Sequence, residues 1–78
     1  MGRVNAGYMI TDSISIGKVE FVIGHNPEMS SPYVTWACKG GTDYYWGHYM
    51  RNRRDAEKDL LERAQREMRL QEEETHLF

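Results

Sequence analysis

The sequence has one cysteine, two prolines, no long apolar run and almost no net charge, and each shortage excludes something. Cys38 alone cannot close an intramolecular disulfide, which fits a reducing, cytoplasmic setting. No stretch approaches the roughly 18 apolar residues of a membrane-spanning helix. The first residues lack the basic segment and apolar core of a signal peptide, so none is expected. Ten Lys and Arg against twelve Asp and Glu leave a formal charge of −2, which weakens electrostatic capture of nucleic acid by the chain as a whole. Leu, Ile, Val and Phe together make up only 14 of 78 residues, and five Tyr, two Trp and five Met supply apolar area in their place. A chain this short predicts one domain with a thin core and little room for a walled substrate pocket.

Chemical motifs are missing too. There is no glycine-rich phosphate loop, no G-x-S-x-G turn, and no C-x-x-C or H-x-x-x-H pair. Cys38 and His48 fall on opposite faces of the hairpin predicted below, roughly 17 Å apart at about 3.3 Å per residue. Cys38 therefore reads as a small buried hydrophobe. Carboxylate pairs occur only on a solvated helix, where neither partner is desolvated enough for acid catalysis. The expectation is no enzyme, no catalytic residue, no cofactor, no metal and no small-molecule substrate.

What is present divides near Met50. Residues 1–50 hold every Gly, Pro, Tyr and Trp, whereas 15 of residues 51–78 are charged. The first part reads as strands and turns and the second as helix. Residues 1–5 look frayed. Apolar residues fall on even positions at Ile14 and Ile16 and on odd positions from Val19 to Ile23. That switch at Gly17 predicts a hairpin with Gly17-Lys18 as a type II′ turn, a single bulged strand being the alternative. Residues 24–32, with both prolines, form a loop. Two aromatic runs, Tyr33–Cys38 and Thr42–Tyr49, flank Gly40-Gly41 as a second hairpin. Asn52 is the expected N-cap, with Asp55 three residues on. Ala56, Leu60, Leu61, Ala64 and Met68 then make an apolar stripe, with i,i+4 pairs such as Asp59–Arg63 and Glu62–Arg66 on the outside.

The predicted fold is α+β: a three- to four-stranded antiparallel meander over about 8–50, one C-terminal helix over about 53–73 on one face, and a loose tail at 74–78. If Gly40-Gly41 is a two-residue turn, Lys39 pairs with Thr42 and Trp36 with Tyr45. Val34, Trp36, Cys38, Tyr45 and Tyr49 then face the helix. Tyr33, Thr35, Ala37, Tyr44, Trp46 and His48 share the other face, which nothing in the chain is left to cover. Exposed aromatics mark interfaces, so Tyr33, Tyr44 and Trp46 are candidate partner-binding residues. Arg51, Arg53 and Arg54, cations at a helix start that the macrodipole disfavours, are the others.

The hairpin Trp36-Ala37-Cys38-Lys39-Gly40-Gly41-Thr42-Asp43-Tyr44-Tyr45-Trp46-Gly47 and the charged helix from Arg53 resemble, in size and character, small proteins carried by bacterial phages and conjugative elements. The resemblance implies a regulator or inhibitor of a host or defence protein, anti-CRISPR proteins being examples. The functional expectation is a non-enzymatic module that binds a protein partner, or itself as a homodimer, through the aromatic face. The alternative is nucleic-acid binding through Arg51–Arg54 with aromatic stacking.

Overall fold

The computed structural model describes residues 2–76, with side chains to residue 74. Five strands, β1 (Val4–Asn5), β2 (Tyr8–Ile16), β3 (Val19–His25), β4 (Tyr33–Lys39) and β5 (Asp43–Met50), precede one helix, α1 (Arg53–His76). The strands form a single antiparallel sheet in the order β1-β2-β3-β4-β5. The chain is thus an α+β meander with one C-terminal helix packed on it. Among the described residues no helix is long and apolar enough to cross a membrane.

The extra strand lies in the segment expected to be frayed. Val4 and Asn5 pair with Met9 and Tyr8 through a two-residue turn, Ala6-Gly7. Both turn residues have positive φ, 51° and 83°, as a type I′ turn requires. The Gly17-Lys18 turn forms as expected, with Ile16 paired to Val19 and Gly17 at φ 61°. The loop is shorter than expected, because Gly24 and His25 still belong to β3. A bulge at Thr11 turns β2 over. Ile10 packs on one face of the sheet, and Ile14 and Ile16 on the other.

The second hairpin departs from the expected register by one residue. Its turn holds three residues, so Lys39 pairs with Asp43 and Ala37 with Tyr45. One step of slip exchanges the partners of neighbouring residues: Tyr45, on the helix side as expected, lies with Ala37 instead of Trp36, and Tyr44, on the far side as expected, packs on Trp36. A second bulge, opposite Trp36, restores the parity, so that Thr35 pairs with His48 and Val34 with Tyr49.

For β4 the face under α1 is the reverse of the expected one, with Tyr33, Thr35 and Ala37 toward the helix and Val34 and Trp36 away from it. Phe21, Ile23 and Ala37 pack against Ala56, Leu60 and Ala64, with Tyr33 and Tyr45 half-buried at the margin. Two alanines in the helix stripe permit close approach, and only the small Thr35–Ala37 side of β4 allows it. The helix lies deeper on its axis than the apolar stripe implied. At about 100° per residue, Arg63, Glu67 and Gln71 share the arc of Ala56, Leu60 and Ala64. Leu61 and Met68 are exposed. The Asn52 cap forms, its Oδ1 accepting from the Asp55 backbone N–H at 2.9 Å. Arg53 pairs with Asp12 at the start of α1, and Gln71 Nε2 donates to the Ile16 carbonyl near its end. The helix continues to His76, past the expected end near 73; of the expected loose tail, Leu77 and Phe78 lie outside the described residues.

The far face is not open. Val22 and Val34 are fully buried and Trp36 is 5% exposed, with Tyr8 beside them. Sheet curl supplies the cover. Tyr8 of β2 and Tyr49 of β5 stand 6.2 Å apart between ring centroids, although three strand spacings of about 4.8 Å separate their strands in a flat sheet. Two strand glycines make room for the Trp36 indole. A Cβ on Gly24 would lie 2.9 Å from Trp36 Cζ3, and one on Gly47 would lie 2.8 Å from Trp36 Nε1. Tyr8 and Tyr44 then close on Trp36 edge-to-face, each at 5.7 Å.

Candidate functional site

The three aromatics expected on one surface are dispersed. Tyr33 lies half-buried on the helix side, stacked on His25 at 4.5 Å. Tyr44 packs on the far side, against Trp36. Trp46 alone is open, at 74% exposure. It occupies the β5 bulge with φ 55°, a left-handed conformation that costs an L-residue about 1–2 kcal/mol. The fold holds that strain and projects the indole outward, edge-on to Tyr45 at 4.9 Å.

The arginine cluster separates as well. Arg53 is engaged by Asp12 at 2.8 Å and by Glu57 at 2.9 Å, and these carboxylates raise its pKa, Asp12 foremost. Arg51 and Arg54 are exposed and make no ion pair among the described residues. None of the three lines the groove beside Trp46.

That groove, of about 210 Å³, runs between β5 and the C-terminal half of α1 and is lined by Phe21, Trp46, His48, Arg63, Arg66, Glu67 and Leu70. Its floor carries a polar chain that sequence patterning did not anticipate. Arg63 is 8% exposed and Thr35 fully buried. Arg63 Nη1 donates to the Thr35 carbonyl at 3.2 Å and to Thr35 Oγ1 at 3.1 Å. The Thr35 hydroxyl donates in turn to Asp59 Oδ2. The same carboxylate oxygen meets His48 Nδ1 at 2.9 Å. An ionised carboxylate can only accept, so Nδ1 carries the proton and Nε2 is the ring's remaining polar atom.

The expected Asp59–Arg63 and Glu62–Arg66 pairs therefore do not form. Asp59 turns inward to Thr35 and His48. Burial pulls the Arg63 guanidinium below its ordinary value, and the charge of Asp59 offsets only part of that. The guanidinium lies 5.6 Å from the Phe21 ring centre, a cation–π distance. The signal for Arg63 was present in the helical wheel, where it falls within the Ala56–Leu60–Ala64 arc. What the wheel lacks is Thr35, 28 residues away.

Cys38 and His48 do lie on opposite faces, although His48 opposes Thr35 rather than Tyr33. Cys38 is fully buried. Burial raises its thiol pKa, with the nearby Glu20 charge adding to the rise, which suits an inert thiol. Glu20 itself is held below the ordinary carboxylate range by a two-pronged hydrogen bond from Arg3, at 2.6 and 3.0 Å. Among the described residues no three His, Cys, Asp or Glu side chains converge as metal ligands would. Comparison of the chain with protein-family models, with curated proteins and with solved structures returns no match.

Proposed function

We propose that this chain is a small non-enzymatic interaction module that binds a protein partner through Trp46 and the groove beside it. The observation that carries the reading is Trp46 itself, a strained, outward-facing indole next to a buried arginine. Large exposed aromatics and arginines supply most of the energy of protein interfaces, and local strain is retained where function uses it. A role as a regulator or inhibitor of the kind phages and conjugative elements carry, in a cytoplasmic setting, belongs to the same proposal. Nucleic-acid binding through Arg51, Arg53 and Arg54 has less support, because Asp12 and Glu57 already neutralise Arg53.

The test compares the full chain with its Trp46→Ala variant in quantitative affinity capture from bacterial extracts, with light scattering on both. Partners retained by the full chain and lost by the variant support the reading. Identical sets of captured proteins defeat it. A concentration-dependent dimer that Trp46→Ala dissolves would replace the foreign partner with a second copy.

A further inference from the structure

Arg63 is a buried cation with only part of its hydrogen-bonding capacity used. A guanidinium has five N–H donors, and only Nη1 has acceptors, both on Thr35. Nε and Nη2 find none among the described residues. No unpartnered side-chain nitrogen or oxygen is sealed from solvent among the described residues, so these donors open onto the groove that Arg63 lines. Among the described residues no carboxylate stands within ion-pair distance of it. Asp59 is taken by Thr35 and His48. Glu67, one turn along α1, accepts from Gln71 instead. Arg66 lines the same groove and is also unpaired, and its charge adds to the depression of the Arg63 pKa. Burying a cation without a counter-charge is costly, and a second cation beside it increases the cost.

We propose that the groove recognises a carboxylate of the partner protein, with Arg63 as its fork, Arg66 as a flanking donor, and Trp46 covering the apolar side chain next to it. The inference rests on the interaction reading above and names the chemistry of its contact. Size selects the class: about 210 Å³ lies below the roughly 300–1,000 Å³ of small-molecule clefts and suits a residue or two of a peptide. Charge selects the anion. Glu67 in the lining and Asp59 behind His48 disfavour a dianion or polyanion, and the two arginines leave room for a single negative charge. Planar, bidentate recognition of carboxylate is what arginine does best.

The experiment is a titration of the ¹⁵N-labelled full chain, following the Arg63 Nε–H and Trp46 Nε1–H resonances. The probes are N-acetylphenylalanine, its amide, and inorganic phosphate. N-acetylphenylalanine should shift both resonances saturably, in the millimolar range of a fragment this small. The amide and phosphate should bind about tenfold more weakly or worse. Arg63→Lys keeps the charge, loses the fork, and should weaken the acid about tenfold. Should Arg63→Lys fail to fold, Trp46→Ala at an exposed position serves in its place, with the same loss expected. No saturable shift, or an amide or phosphate that binds as tightly as the acid, overturns the proposal. A partner captured by the full chain and by Arg63→Lys, but lost by Trp46→Ala, leaves the interaction module standing and removes the carboxylate.

Discussion

Beneath α1 the sheet presents Phe21 and Ile23 of β3 and the small Thr35 and Ala37 of β4 to Ala56, Leu60 and Ala64. On the far face it presents Val22, Val34 and the large indole of Trp36, with tyrosines folded over them. Both faces are buried, by different means. One is covered by an added layer of helix. The other is covered by sheet curl, by aromatic rings and by two glycines that let one ring sink in. A 78-residue chain has a single helix to spend, and the comparison shows that a sheet face without a helix is not by that fact a free surface. The most exposed aromatic among the described residues is at a bulged position, Trp46.

The largest expected effect separates the two tryptophans. Trp36→Ala removes the centre of the far face and should cost about 3–5 kcal/mol, a large share of the roughly 4–12 kcal/mol that a domain of this size holds. Urea denaturation should find it largely unfolded. Trp46→Gly should stay within about 0.5 kcal/mol of the parent, because relief of the left-handed strain offsets the lost Tyr45 contact. Equal losses at the two positions would erase the contrast.

Gly24→Ala tests the glycine pocket directly. The new methyl would meet Trp36, Tyr8 and Val34 at 2.9–3.0 Å, and overpacking of that kind costs about 1–3 kcal/mol. A neutral result would show that the far face is looser than the helix face. A gain is expected at Ala6, which holds φ 51° in the β1–β2 turn. Ala6→Asn creates the Asn-Gly pair that type I′ turns favour and should add about 0.5–1 kcal/mol, read as a rise in the unfolding midpoint.

The smallest effect is a pH dependence with one contributor on each face. Glu20 is held below its ordinary pKa chiefly by Arg3, and Asp12 chiefly by the Thr11 hydroxyl and then by Arg53. A carboxyl whose pKa is lower folded than unfolded stabilises the fold above its unfolded value, near 4, and that contribution disappears as pH falls through the folded value. The thermal midpoint should therefore decline between about pH 5 and the lower folded values. Glu20→Gln should flatten the decline more than Asp12→Asn, since the Glu20 carboxylate is less exposed and held at two points. The Arg3–Glu20 pair is worth about 1 kcal/mol or less.

Local patterning made several elements legible. The Gly17-Lys18 turn, the aromatic hairpin, the Asn52 cap and the helix start at Arg53 all follow from residue type and spacing. The faces of the second hairpin were not legible, for two reasons in the chain itself. Gly40-Gly41-Thr42 gives a three-residue turn where two glycines suggested a two-residue one, and the bulge at Trp46 reverses the parity again farther on. The helix-facing side was also misread, because Thr35 looked polar. Its hydroxyl is buried without penalty only because Asp59 and Arg63 satisfy it. Of the candidate residues, Trp46 keeps its place, whereas Tyr33, Tyr44 and Arg53 are occupied within the fold.

By itself the sequence determined the class of fold: strands where β-branched and aromatic residues alternate, one helix where glycine and proline are absent, and turns where glycine admits positive φ. These depend on interactions within a few residues, and composition records them. Only the tertiary structure decided which sheet face meets the helix, that the other face closes over Trp36, and that Arg63 lies buried without a counter-ion beside Trp46. Each of those depends on groups far apart in the chain, Gly24 with Trp36 and Thr35 with Asp59 and Arg63, and long-range packing leaves no local signature. The scarcity of aliphatic residues thus produces a core built from rings and glycines, and one ring that the core does not use.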